Sequence, residues 1–356
     1  MLDYGVEIEF IAPPGNTRAS VAAAIDAVGV PCYDARYSYT LDRQRWKIVS
    51  DGSLRSINMP GGEGMELVSP PSTEAGFDQI TKISTILLGL GCIVNRTCGL
   101  HVHIGARNIS IPALKKLAAL YVENERLIDQ LLPPSRRGNN NTYCRSIAAT
   151  ANMGELVRAD NVNNIASAVH GGNRYVKLNF TAFWKHGTVE FRHHSGTVDS
   201  AKIIKWIIFC AKMVETAIRE AGVPISAAGL GLGDRSYWRK GRRTRRIYDL
   251  LTREEGATSE EIRMALGVRS RPDIRWHLAR AGAAEVVRGR RERREVFYLD
   301  PNATAALPAP LPEGTTPTRA ANLPELCEKL QLADEDKAFW AERAAALAAG
   351  STTAAE

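Results

Sequence analysis

No two of the six cysteines stand in CxxC spacing, and no uninterrupted apolar run reaches the ~18 residues that a membrane span requires. The first absence excludes the common zinc and dithiol frameworks, and the cysteines are expected to be reduced thiols. The first ten residues, MLDYGVEIEF, have neither the basic start nor the apolar stretch of a secretory signal, so a cytoplasmic protein without a membrane partner is expected. There is no G-x-x-x-x-G-K-[ST] loop, and no G-x-G-x-x-G follows a strand pattern. A bound triphosphate would therefore be held mainly by metal ions and arginine. No Ser-His-Asp order and no activated-cysteine context stands out, which ranks covalent hydrolases low.

The chain has 356 residues, 44% hydrophobic and 24% charged, an ordinary globular composition with room for two or three domains. Its net charge of +7 is unevenly spread. Residues 235–300 carry 18 Arg/Lys against 10 Asp/Glu, leaving 28 against 29 elsewhere. The basicity belongs to one segment and points to a separate module with an anionic partner, or to an Arg-rich solvated surface.

Alternation of apolar and polar residues predicts strands over 5–10, 46–49, 65–68 and 100–104, and a strand pair over 175–180 and 188–193 joined across Lys185-His186-Gly187. Helical spacing predicts helices over 20–28, 77–90, 111–132 and 201–221. The resulting domain plan is an α+β domain over 1–228, a Gly-rich linker over 229–239, and a basic module over 240–300. A flexible Pro/Ala/Thr-rich linker over 301–323 and an Ala-rich helical tail over 324–356 complete it. The basic module reads as helix, helix, helix, hairpin, the organisation of a winged helix-turn-helix, with a capping box at Thr258–Glu261. Arg271, Arg275 and Arg280 would lie on or beside its third helix, and Arg290, Arg291, Arg293 and Arg294 on its wing. Such arginines suit DNA phosphates, and protein contact is the alternative use.

Three strands carry functional side chains two residues apart: Glu7/Glu9, His101/His103 and Glu190/Arg192. Residues i and i+2 share one sheet face about 6.6 Å apart. The intervening Ile8, Val102 and Phe191 face the other way. An antiparallel sheet with one apolar face under helices and one face of carboxylates, imidazoles and a guanidinium follows, with Glu66 adding a further carboxylate. A merely solvated face would be filled with Thr, Lys and Ser. Carboxylates with imidazoles suit Mg²⁺ or Mn²⁺ better than zinc. An arginine two residues from a ligand glutamate suits a phosphate on the metals, hence phosphoryl transfer.

Five ordered motifs resemble the amidoligase family, a branch of the carboxylate–amine ligase superfamily that includes glutamine synthetase and glutamate–cysteine ligase. They are Gly5-Val6-Glu7-Ile8-Glu9-Phe10, Asp51-Gly52-Ser53, Glu66-Leu67-Val68-Ser69-Pro70, Cys98-Gly99-Leu100-His101-Val102-His103-Ile104-Gly105 and Gly187-Thr188-Val189-Glu190-Phe191-Arg192. The resemblance covers about 3–225. It implies a glutamine-synthetase-like antiparallel sheet with a polar catalytic face, and ATP-dependent amide formation through an acyl phosphate from a small-molecule or peptide carboxylate and an amine. It further implies that Glu7, Glu9, Glu66, His101 and Glu190 hold Mg²⁺ and that Arg192 stabilises the transferring phosphoryl group. By the same carry-over, His103 contacts a nucleotide phosphate or a metal. Asp51 and Ser53 are active-site loop residues, and Tyr175 and Asn179 face the site. Spacing does not choose among Arg136, Arg137 and Arg145 as the group that binds a substrate carboxylate. The Asn-rich loop 136–143 reads first as a surface loop, with a lid as the alternative. The rival functions are a DNA-binding regulator that keeps this domain as a sensor, and a metal-dependent phosphohydrolase. Homo-oligomerisation is an open expectation carried from the superfamily.

Overall fold

The computed structural model describes residues 2–36, 42–221, 257–258, 261, 286–291, 294–299 and 319–350. The chain divides into two compact units. One comprises Met1–Ala151, Ala159–Gly222 and Arg319–Glu356; the other comprises Asn152–Arg158 and Val223–Thr318.

The first unit is built on a seven-stranded sheet. Its elements run β1 (Tyr4–Ala12), α1 (Arg18–Asp26), β2 (Cys32–Arg36), β3 (Trp46–Ser50), β4 (Glu63–Val68), α2 (Phe77–Gly89), β5 (Gly99–Gly105) and α3 (Ile111–Asp129). After α4 (Met153–Arg158), which belongs to the second unit, come α5 (Val162–His170), β6 (Leu178–Asn179), α6 (Ala182–His186), β7 (Thr188–Ser195) and α7 (Ser200–Arg219). The strand order is β2-β3-β4-β1-β5-β7-β6, antiparallel throughout except for the parallel pair β2/β3. The fold is α+β, as the alternation predicts.

The two-residue period decides which way the sheet faces. Val6, Ile8 and Phe10 of β1, Leu67 of β4, Val102 and Ile104 of β5 and Phe191 of β7 are all buried. Helix α7 packs on β5 and β1, with α2 and α3 beside it. Local signals fix the helix starts: Thr17 and Ser20 form a capping box before α1, and the Asp199 carboxylate accepts from the amides of Ala201 and Lys202 at the start of α7.

The register between β5 and β7 shifts at the centre of the sheet. Leu100 pairs with His194 and Val102 with Phe191, so Arg192 and His193 together stand opposite His101. The extra residue lets Arg192 stay on the side of Glu190 while His193 turns toward the helices. There His193 Nδ1 lies 2.6 Å from Tyr121 OH and its Nε2 lies 2.7 Å from Asp129. Lys177 binds the same Asp129 at 2.6 Å and Glu125 at 2.9 Å, a buried ionic network between sheet and α3. Burial, with Lys177 nearby, pushes the His193 imidazole down to about 4.

Several expectations are corrected here. The strand expected over 175–180 shrinks to Leu178–Asn179, and 182–186 form a turn of helix rather than part of a hairpin, closed by Gly187 at φ 74°. The expected tail helix is two helices, α8 (Leu323–Lys329) and α9 (Asp334–Ala348), separated where Gln331 takes a left-handed φ of 53°. These helices are part of the first unit. Trp340 is fully buried and meets Trp206 and Phe209 of α7 edge-on, each with ring centroids at 5.9 Å. Arg343 Nε donates to the Leu131 carbonyl at 2.8 Å, and the Ala320 amide donates to Asn124 Oδ1 at 2.8 Å. The segment expected to be linker up to 323 is therefore docked from Ala320 onward.

In the second unit, β8 (Ala257–Thr258), β9 (Val286–Arg291) and β10 (Arg294–Leu299) form a small antiparallel sheet in the order β8-β10-β9. Thr258 and Glu261 exchange the reciprocal bonds of the expected capping box. Arg290 and Arg291 belong to β9 and Arg294 to β10, so the turn between the strands is shorter than the expected 289–294. The three helices of the winged-helix reading, with Arg271, Arg275, Arg280 and also Arg293, lie outside the described residues. Among the described residues no helix is long and apolar enough to cross a membrane. All six cysteines are buried and free.

Candidate active site

The face of the sheet away from α7 gathers charge from four strands. Register sets the neighbours: Glu7 of β1 pairs with His101 of β5, Glu9 of β1 with Glu66 of β4, and His103 of β5 with Glu190 of β7. Glu7, His103 and Glu190 each bring one donor atom within 4.8 Å of the others, and so do Glu7, Glu66 and His101. Glu7 is common to both groups.

The hydrogen bonds orient these donors. His101 Nδ1 lies 3.0 Å from Glu7 Oε2, and its Nε2 lies 3.5 Å from Glu9 Oε1. His103 Nδ1 lies 2.8 Å from Thr188 Oγ1. Its buried Nε2 has no hydrogen bond and lies 3.4 Å from Glu7 Oε1. A histidine whose Nδ1 is held by a neighbour and whose Nε2 faces carboxylates has the orientation of a metal ligand once the ring is neutral. Glu190 Oε2 accepts from Asn179 Nδ2 at 2.7 Å, and its Oε1 accepts from Arg192 Nη1 at 2.5 Å. Arg192 Nε also reaches the Tyr143 carbonyl at 3.4 Å.

The charges are frustrated without a cation. Burial raises the Glu7 carboxyl, but His101 and His103 outweigh it and hold Glu7 well below the ordinary carboxylate range. Burial first, then repulsion from Glu7, Glu9 and Asp51, pushes Glu66 well above it. Glu190 is also lowered: burial opposes ionisation, and Arg192 and His103 overcome that. Opposite shifts on two neighbouring carboxyls mark a crowded negative site, of the kind that a divalent ion would relieve.

The remaining expected residues fall as follows. Glu9 lies 3.5 Å from His101 and pairs with Glu66 but belongs to neither donor group; its Oε2 accepts the Gly99 amide at 2.6 Å. Asp51 lies near enough to repel Glu66 and accepts the Ser53 amide at 2.7 Å, a local turn within the loop. Tyr175 engages its neighbours: Arg174 donates to its hydroxyl at 3.0 Å, and its ring meets Tyr143 edge-on at 5.4 Å. Arg145 is exposed, and its backbone pairs with the 175–177 segment. Asn139, Asn140 and Asn141 of the 136–143 loop are each engaged in local bonds, to Ser146, Pro134 and Tyr143.

A cavity of about 450 Å³ adjoins the cluster at the His103 end and is lined there by Glu7, Glu66 and His103. Arg43, Lys47, Arg107 and Lys185 line the same cavity. The sequence alone does not single out these cations, although parity carries Lys47: it pairs with Val68 and so shares the face of Glu66. Burial lowers the Lys47 ammonium, and Glu66 and Glu7 partly offset this. Four basic side chains thus share one cavity with Glu7, Glu66 and His103, and their positive field favours anions there.

Residues 1–214 match the family model described as putative amidoligase enzyme. The chain belongs to this family. No curated protein matches the sequence. The match ends before the basic segment, so the amidoligase relationship is carried by the sheet, its polar face and α7.

Proposed function

We propose that this amidoligase family member is an ATP- and Mg²⁺-dependent carboxylate–amine ligase. The observation that carries the reading is the pair of donor groups sharing Glu7, with Arg192 bonded to Glu190 at their edge, in a chain of ligase-type kinship. Glu7, Glu66, His101, His103 and Glu190 would hold Mg²⁺, with Mn²⁺ an alternative, and the bound ions would neutralise charge between the β- and γ-phosphates of ATP. The basic cavity receives the polyphosphate. Arg192, fixed by Glu190, offers a preorganised positive charge to the transferring phosphoryl group. Thr188 and Asn179 keep His103 and Glu190 in orientation. The γ-phosphoryl group passes to the substrate carboxylate and ADP leaves; the amine nitrogen attacks the acyl carbon, phosphate leaves with the C–O electrons, and the amine gives up a proton.

Purified protein with ATP, Mg²⁺ and a panel of carboxylates and amines is expected to release ADP and phosphate together with an amide product. Glu7→Gln and Glu190→Gln are expected to abolish that release with the fold intact by circular dichroism. Phosphate release without amide would favour a phosphohydrolase, and unchanged turnover in both variants would remove the assignment.

The charge of residues 235–300 supports a second role, DNA or protein contact by the basic module, alongside catalysis or with the amidoligase domain as its ligand sensor. Salt-sensitive, sequence-preferring DNA binding without ATP turnover would favour the sensor.

A further inference from the structure

Ser195 closes β7 as the strand partner of Gly99, at the end of β5 away from His103. There a second cavity of about 550 Å³ opens between four segments of the first unit: 57–58, 94–96, 133–135 and 195–196. The basic cavity lies at the other end of β5. The line from Ser195 over Gly99 to the donor groups is filled. A Cβ at residue 99 would already meet His101 Nε2 at 2.9 Å, and buried Arg136 donates its Nη2 to the adjacent Cys98 carbonyl.

The protein itself holds the walls of this cavity in place. Asn95 Oδ1 accepts from the Thr97 amide at 2.9 Å and the Thr97 hydroxyl at 2.6 Å, and its Nδ2 donates to the Arg55 carbonyl at 2.7 Å. These bonds tie the loop before Ile57 to the turn at 95–97. Behind them Val94 and Met59 pack on buried Ile11, Leu54 and Cys98. The Gly196 amide donates to the Cys98 carbonyl at 2.8 Å, an approach so close that a Cβ at residue 196 would collide with Cys98. A cavity built in advance loses little ordering entropy when it is filled.

Its chemistry selects a ligand. The side chains of Asn58, Arg96, Ser135 and Ser195 line it and, among the described residues, have no hydrogen-bond or ion-pair partner. Ile57, which is 47% exposed, joins Val94, Pro133 and Pro134 in supplying aliphatic surface. No aromatic ring among the described residues lines the cavity, so a sugar or a nucleobase finds nothing to stack on. No carboxylate lines it either, which disfavours polyamines and metal ions. One guanidinium is too little for a polyphosphate and matches a single carboxylate. Amide and hydroxyl groups beside aliphatic walls match the peptide groups and side chains of a short chain segment.

We propose that this second cavity is a peptide-binding site, separate from the reaction centre, for an aliphatic segment carrying one carboxylate that Arg96 holds. The binding requires no turnover and does not rest on the ligase reading.

The test is calorimetric titration of the full chain without ATP, with acetyl-Ala-Leu-Ala, its C-terminal amide and spermidine as probes. The acetylated tripeptide is expected to bind, its amide to bind about ten-fold more weakly through loss of a charge-assisted bond, and spermidine not to bind. Arg96→Gln is expected to bring the acid down to the affinity of the amide. Ile57→Asp, which puts a charge into the aliphatic wall, is expected to weaken both peptides at least about ten-fold. Both residues are exposed, so the fold should survive, as circular dichroism checks. Glu7→Gln is expected to leave peptide affinity unchanged; loss of binding there would place the peptide at the donor cluster and overturn the proposal. No peptide binding by wild type, unchanged acid affinity in Arg96→Gln and Ile57→Asp, or spermidine binding tighter than the peptide would each overturn it too.

Discussion

His103 and Thr188 lie 2.8 Å apart through Nδ1 and Oγ1, and that contact leaves His103 Nε2 facing Glu7 with no hydrogen bond of its own. Thr188 is not itself one of the donor residues; it fixes which ring nitrogen is available. Thr188→Val keeps the branched shape and removes the acceptor. Mn²⁺ affinity is expected to fall about 10- to 100-fold, with melting temperature little changed. Titration followed by paramagnetic resonance checks this, and an unchanged affinity would show that Thr188 does not orient the ring.

Lys177 is fully buried between two carboxylates. Lys177→Met leaves Glu125 and Asp129 buried without their cation and is expected to cost about 3–5 kcal/mol of stability. Glu125 Oε2 also accepts the amides of Ile147 and Ala148 at 2.9 Å, so the loop before α4 should loosen with it. Urea denaturation gives the first quantity and hydrogen exchange at 147–148 the second.

Trp340 joins the last helix to α7 by burying its indole against Trp206 and Phe209. Trp340→Ala is expected to destabilise the amidoligase unit by about 3–5 kcal/mol. The same loss should appear when ATP turnover is followed against temperature, because α7 packs under β5. A truly independent tail would show neither effect.

His170 ends α5, and its Nε2 accepts the Phe180 amide at 3.3 Å. Burial pushes the imidazole down to about 4, below the ordinary value of about 6.5 for an unfolded chain. The unfolded chain therefore binds a proton first as pH falls, so the stability due to His170 is full above about 6.5 and is lost toward 4. At pH 5 the loss is about 2 kcal/mol. His170→Gln should show a correspondingly smaller drop in unfolding free energy between pH 7.5 and 5. Equal drops in the two proteins would place the imidazole in water.

The alternation of Val6, Ile8 and Phe10 with Glu7 and Glu9, repeated at His101/His103 and Glu190/Arg192, determined a two-faced sheet and the identity of most cluster residues. This works because strand parity is local: neighbouring side chains in a strand point oppositely whatever the rest of the chain does. What the sequence could not determine was the register that pairs Glu7 with His101, or the slip that puts Arg192 and His193 both opposite His101 and sends them to opposite sides. Nor could it tell that Arg136 is buried while Arg145 is exposed, since burial depends on how distant segments pack. The docking of 320–348 onto α3 and α7 is likewise tertiary. An Ala-rich helix has little local pattern to say which surface it covers, and one buried tryptophan decides it.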